Sequence, residues 1–262
     1  MRIPIAHLRR ALTAACMIVA FRNWWQVIGA LVRSRSVNRR AADITMYTRV
    51  GVRITAPDTA AAIWPVLEVY ALHGYRLERF DLTDSNVLDV GAHIGAFSTA
   101  VCAAYRGTTV SAFEPTPETF QYLRRNIAQN GLASRIMPFN AAISPYGGPV
   151  PLHVAGPADS TNRILPAPSP GAISVPSIAL TKALTCFGRH FDVCKLDCEG
   201  AEYDLLDATG PDAWDGVQLM LLEFHPVTGR TRNSLFSRLA SLGFRVALHE
   251  EYAGSEMAWL SR

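Results

Sequence analysis

Asn86-Val87-Leu88-Asp89-Val90-Gly91-Ala92-His93-Ile94-Gly95, followed by Ala112-Phe113-Glu114-Pro115, decides the fold. The apolar run 87–90 has the composition of a buried parallel strand, Gly91 and Gly95 make the tight turn beyond it, and residues 96–105 continue as a helix. Glu114 closes a second strand, 109–113, where a carboxylate can take both hydroxyls of a ribose laid across the first turn. Asp89 and Glu114 therefore predict two acids at neighbouring strand tips, a setting for a nucleoside that carries positive charge.

The competing reading is a dinucleotide site, as in a nicotinamide-dependent oxidoreductase. Its G-x-G-x-x-G turn brings bare backbone and a helix N-terminus up to a pyrophosphate. Counting from Gly91, the second glycine position holds His93 and the third holds Ala96, so that close approach is filled, and Asp89 would repel a diphosphate. The ammonium and sulfonium of S-adenosylmethionine gain from the same negative charge. Gly91, Gly95, His93 and Asp89 are then expected at the methionine end, Glu114 at the ribose, and Asn140, Ala141 and Ala142, after the third strand, at the adenine edge.

Outward from this unit, strands and helices alternate: helix 117–130, strand 135–139, strand 192–197, helix 201–208, strand 217–223, helix 232–242 and strand 243–248, with 256–260 pairing antiparallel at the end. This is an α/β fold with a mostly parallel sheet and helices on both faces. Residues 44–47 and 50–54 alternate around Gly51 as a hairpin, and 59–73 predicts a helix stopped at Gly74. The Pro- and Gly-rich segment 144–171, with one strand at 150–154, is expected as a loop over the site. A strand at 174–180 and a short helix near Lys182 follow. The division expected is a basic N-terminal extension, 1–56, and a catalytic domain, 57–262.

The run Lys195-Leu196-Asp197-Cys198-Glu199-Gly200-Ala201-Glu202 is the second anomaly, because Lys195 and Asp197 lie on one side of a covered strand. They must pair with each other or reach the open carboxyl edge of the sheet, where ligands bind. Glu202, in the first turn of a helix, is accounted for by the helix dipole alone. Glu199 has no such account. Glu223 and His225 end the next strand on the same rim. Glu199 or His225 is the candidate base for an acceptor hydroxyl, with Asp197 orienting the acceptor or the methionine amine. Asp197, Glu199, Glu223 and His225 together offer an alternative divalent-cation site, although no metal is indicated by motif spacing.

With 262 residues, 49% hydrophobic and 18% charged, the chain can bury a large core and is not a disordered protein. Its five cysteines form no C-x-x-C pair, which predicts neither a zinc site nor a disulfide framework and makes the cytoplasm the expected compartment. The net charge of +3 is uneven: residues 1–40 hold eight arginines and no acid. Leu8, Leu12, Ala15, Cys16 and Val19, continued by Phe21, Trp24, Trp25, Ile28 and Leu31, predict an amphipathic basic helix. It can dock on the domain, form a dimer contact or lie on the inner face of an anionic membrane; a secretory signal fits less well, for want of a small-x-small cleavage site. Nucleic acid is not expected, since no basic stripe with stacking aromatics lines the core. A non-catalytic, membrane-associated protein that kept only the fold is the remaining alternative.

The stretch from Val87 to Gly95, then Ala112 to Pro117 with Phe120, Leu123, Asn126 and Asn130, then Lys195 to Glu202, resembles the FkbM family of S-adenosylmethionine-dependent methyltransferases. The likeness covers roughly 67–225, with Glu68 to Tyr75 resembling the family's lead-in. It implies the seven-stranded class I methyltransferase fold and O-methylation of a small-molecule or glycan acceptor. Two positions depart from the family pattern: His93 stands for the usual Asn, and Thr181 for an Asp.

Overall fold

The computed structural model describes residues 5–34, 42–185, 190–251 and 255–262, with side chains from Thr13 onward. Two helices, α1 (Ile5–Ala20) and α2 (Trp24–Arg33), lead into a hairpin of β1 (Asp43–Tyr47) and β2 (Arg53–Pro57) and then α3 (Ala60–Tyr70). Thr59 caps α3, accepting from Ala62 N–H at 3.3 Å. The core units are β3 (Asn86–Val90), α4 (Ala96–Ala104), β4 (Thr109–Phe113), α5 (Pro117–Gln129) and β5 (Ile136–Phe139). The chain then forms β6 (Ala142–Ser144), β7 (Gly148–His153), β8 (Arg163–Ile164), β9 (Ile173–Ala179) and α6 (Leu180–Thr185). It closes with β10 (Val193–Leu196), α7 (Glu202–Asp207), β11 (Leu219–Phe224), α8 (Arg232–Ser241), β12 (Arg245–Glu251) and β13 (Glu256–Ser261).

Seven strands make the main sheet in the order β12-β13-β11-β10-β3-β4-β5. The five from β11 to β5 run parallel, and β13 enters antiparallel between β11 and β12. From β3 the chain builds outward through β4 and β5, then returns to the other side with β10 and β11. This reversal opens a crevice between the carboxyl ends of β3 and β10. Strand alternation sorts the core: Leu88, Leu196 and Leu222 join the cluster under α6, α7 and α8, whereas Val87, Val193 and Leu221 pack with Phe97, Val101 and Leu123 of α4 and α5.

Two expectations need correction, and one open alternative is decided. Segment 144–171 is not a plain loop, because β7 pairs antiparallel with both β8 and β9 and β6 joins β9, giving a separate four-stranded sheet. Of the alternatives open for the N-terminal segment, docking on the domain is the one described: Met17, Phe21, Val27 and Ala30 share one buried cluster with Met46, Ile63, Val66 and Ile94. Its expected apolar face is met in part: Cys16, Phe21, Trp24, Ile28 and Leu31 pack in this cluster, whereas Val19 and Trp25 are exposed and Met17 and Val27 are buried in their place; the side chains of Leu8 and Leu12 lie outside the described residues. No described helix is long and apolar enough to cross a membrane.

Asn126 explains how the hairpin and the first turn hold together. Its amide donates to Ile94 C=O at 2.8 Å and Thr55 C=O at 3.1 Å, and its oxygen accepts from Thr55 N–H. Buried on α5, it satisfies backbone groups of two other elements that packing removes from water.

Candidate active site

The turn after β3 is built around Gly91. Its φ is +77°, and a Cβ there would sit 1.8 Å from the carbonyl oxygen of Asp197, so only glycine lets the turn touch the end of β10. Asp197 N–H donates to Val90 C=O and Gly91 N–H to Phe113 C=O, which stitches three strand ends together. Gly95, at φ +87°, begins α4, and a Cβ there would strike Leu123.

Lys195 occupies the centre of this junction. Register places it opposite Asp89, and its ammonium lies 3.3 Å from Asp89, 3.2 Å from Asp197 and 2.8 Å from Gly91 C=O. Burial pulls its pKa down, but Asp197 and Asp89 outweigh that and hold it above the ordinary lysine value. Asp89 is fully buried, accepts from the Ser98 hydroxyl and does not line the cavity beyond the turn. The expected pair of acids at neighbouring strand tips is thus corrected: Asp89 neutralises Lys195 one layer behind, and Asp197 takes the open position.

Glu114 does reach the cavity. Backbone N–H groups of Thr116 and His93 donate to its two oxygens at 2.8 and 3.0 Å, which fixes the carboxylate plane. Burial raises its pKa to about 7 against those donors. His93 lines the cavity at φ +51°; burial, opposed by the nearby Ala158 backbone, lowers its pKa to about 4, so the ring is neutral. Ala142 and Ile143 reach the wall, whereas Asn140 and Ala141 do not, Asn140 being spent on Glu114 C=O at 2.9 Å.

The opposite wall gathers acids. Tyr75 donates to Asp197 at 3.1 Å and lies 3.5 Å from Glu223. Glu68, on α3, and Glu223, ending β11, are raised to about 7 and about 8, first by burial and then by the charge of Asp197. Glu199, at φ +54° in the turn after β10, is raised to about 7 by burial. His225 stands 3.5 Å from both Glu199 and Glu202 and 3.9 Å from Glu223. Burial opposes its charge, yet these carboxylates lift its pKa to about 9, so at neutral pH it is an imidazolium and not a free base. Glu202 is fully buried and accepts from Cys198 N–H and Gly200 N–H, holding the turn that presents Glu199.

These walls enclose a cavity of about 440 Å³, within the range of small-molecule sites. Trp64 and Leu72 of the α3 region edge it on one side and residues 159–164 on the other, the latter anchored where Ala158 N–H donates to Thr119. Asp197, Glu223 and His225 each bring one ligand atom within 4.8 Å of the others, which is geometrically sufficient for a cation. Lys195 already places a positive charge 3.2 Å from Asp197. Sequence reasoning missed Glu68 and Tyr75 as site residues; the lead-in 68–75 was the only signal. Thr181 is exposed on α6.

Residues 89–246 match the family described as the methyltransferase FkbM domain, which covers more than half of the chain. The chain belongs to the FkbM methyltransferase family. This FkbM chain is 22% identical over 211 residues to methyltransferase sdnD of Sordaria araneosa, an alignment covering 68% of this chain and 80% of that protein. It is 40% identical over 67 residues to 31-O-demethyl-FK506 methyltransferase FkbM of Streptomyces tacrolimicus, covering 26% of this chain and only 24% of that one. Among solved structures, the tRNA m1G37 methyltransferase of M. jannaschii superposes with TM-score 0.50 at 13% identity, over 86% of this chain and 58% of that one. Trm5b of Pyrococcus abyssi gives 0.50 at 13%, over 86% and 57%. At such identity these two share the Rossmann-like fold alone.

Proposed function

We propose that this chain transfers a methyl group from S-adenosylmethionine to a hydroxyl of a sugar, glycan or natural product. The observation that carries the reading is the set of carboxylates around one cavity at the switch point of the sheet: Glu114 held by two backbone donors on one side, Asp197, Glu68 and Glu223 on the other. Glu114, raised by burial, and Glu68 and Glu223, raised by burial and then by the charge of Asp197, gain when a cation enters among them. The cofactor's ammonium and sulfonium meet that demand, and Glu114 keeps free lone pairs for two ribose hydroxyls.

In this assignment Glu114 would hold the ribose, Asp197 and Glu68 the methionine ammonium, Gly91 and His93 would border the methionine end, and Ala142 with Ile143 would flank the adenine. Bound S-adenosylmethionine supplies a methyl carbon already activated by sulfonium. The protein's part is then to align the acceptor oxygen with that carbon, which is worth up to roughly 7–11 kcal/mol, and to accept the hydroxyl proton. Glu199 suits the role of proton acceptor, because it borders the cavity with a pKa of about 7, close to the working pH of a general base. His225, held as an imidazolium, orients Glu199. Lys195 supplies fixed charge beside Asp197, so this reading needs no metal.

Titration calorimetry with S-adenosylhomocysteine tests the cofactor, and incubation with methyl-labelled S-adenosylmethionine and fractionated lysate tests transfer. Saturable binding and label in a glycan or small-molecule pool are expected. No binding of S-adenosylhomocysteine together with tight NAD binding would overturn the reading, and label confined to RNA would overturn the acceptor class.

A further inference from the structure

Away from the cavity, exposed apolar side chains collect where α1 turns into α2 against the tip of the β1–β2 hairpin. Val19 is 72% exposed, Val50 71% and Trp25 57%, with Ile18 and Tyr47 also open to solvent. The junction is a built surface and not a loose end. Arg22 N–H donates to Tyr47 C=O at 2.7 Å, Arg49 N–H to Ala20 C=O at 2.8 Å, and the Arg49 guanidinium to Ile18 C=O at 3.2 Å. Ile18 and Tyr47 take part in these bonds, and Val19, Trp25 and Val50 lie within three residues in sequence of a bonded residue.

The charges described at the patch are basic. Up to residue 57 the described side chains include Arg22, Arg33, Arg49 and Arg53 and one acid, Asp43, which sits at the far end of β1 and pairs with Arg125 at 2.5 Å; Arg33 pairs with Asp58 at 3.8 Å. Arg22 and Arg49 are exposed at the patch itself. A second copy seated on the patch across a two-fold axis would set these arginines against their own kind, which argues against self-association. An anionic lipid surface answers both features, with aliphatic and tryptophan side chains at headgroup depth and arginines against phosphates. We propose that this edge, Ile18, Val19, Trp25 and Val50 with Arg22 and Arg49, docks the protein peripherally on an anionic membrane.

The test is co-sedimentation of the full chain with vesicles of phosphatidylcholine alone and of phosphatidylcholine mixed with phosphatidylglycerol. Binding to the mixed vesicles only is expected, falling as NaCl is raised. The double substitution Val19→Glu/Val50→Glu alters exposed positions, so its circular dichroism should match the parent while binding drops at least about tenfold; Arg22→Glu should lower it severalfold. Brominated lipid should quench tryptophan fluorescence in the parent and much less in Trp25→Phe. Equal binding to both vesicle types, or undiminished binding by the double variant, would overturn the proposal. So would a dimer in solution that the same substitutions dissolve, because the patch would then belong to a second copy. Each readout is independent of methyl transfer.

Discussion

Replacing Lys195 by methionine should be among the costliest single changes in this protein. The side chain keeps its length and loses its charge, leaving Asp89 fully buried with the Ser98 hydroxyl as its remaining side-chain partner. At 3.3 Å and an effective dielectric near 20, the lost attraction to Asp89 is roughly 5 kcal/mol before solvation is counted. Asp197, partly open to the cavity, recovers water and contributes less. Orphaning a buried charge in this way costs about 3–5 kcal/mol, which in a chain of this size lowers Tm by roughly 6–20 °C. Urea unfolding followed by tryptophan fluorescence gives the free energy directly. The decisive companion is Lys195→Met/Asp89→Asn, which removes the abandoned charge and should recover much of the loss. A single variant that costs less than about 1 kcal/mol, or a double variant no more stable than the single, would refute the reasoning that Asp89 is the counter-charge of Lys195.

Further outcomes follow from the same geometry. Glu114→Gln should weaken S-adenosylhomocysteine binding at least about tenfold by calorimetry. Because burial raises the Glu114 pKa from 4.5 to about 7, the carboxyl favours the fold below pH 4.5 and loses that contribution as pH rises through 7. In ligand-free melts Glu114→Gln should therefore gain on the parent between pH 5 and 8, and a pH-independent difference would count against the buried placement. Gly91→Ala should destabilise by more than about 2 kcal/mol in thermal melts, since the positive φ and the contact with the Asp197 carbonyl oxygen both oppose a Cβ. Glu199→Gln should cut transfer roughly 10²–10⁴-fold with S-adenosylhomocysteine affinity retained, and should abolish the acid limb near pH 7 seen in the parent. Chelators should leave transfer unchanged; a requirement for Mg²⁺ would instead point to Asp197, Glu223 and His225 as ligands.

Much of the main sheet was legible in the chain because its strands are mostly apolar runs closed by turn residues, broken by a single acid in Val87–Val90 and in 219–224. The end of the molecule was legible too, with β13 antiparallel as the pattern at 256–260 suggested. Asp89 and Lys195 were each visible as anomalies, but their pairing depends on strand register, and β10 joins β3 across more than a hundred residues. No local pattern encodes that. Glu68 and Tyr75 escaped for a related reason: they arrive from α3 and the bend after it, and Tyr75 reaches Asp197 from 122 positions away. Of the small sheet, β7 and β9 were legible as strands at 150–154 and 174–180, but their pairing with each other and with the short β6 and β8 was not, because prolines at 149, 151 and 176 weaken the signal and β6 and β8 have only three and two residues. The charge on His225 was not legible, since only the assembled rim shows that Glu199, Glu202 and Glu223 surround it.

The lysine shared by two acids and a main-chain oxygen has an evolutionary corollary. Losing the cation strands Asp89, whereas losing Asp89 still leaves the ammonium with Asp197 and the Gly91 carbonyl, so the two steps are not equally costly. Descendants of this chain that carry a neutral residue at 195 should also carry one at 89, while a neutral residue at 89 can stand beside a retained lysine.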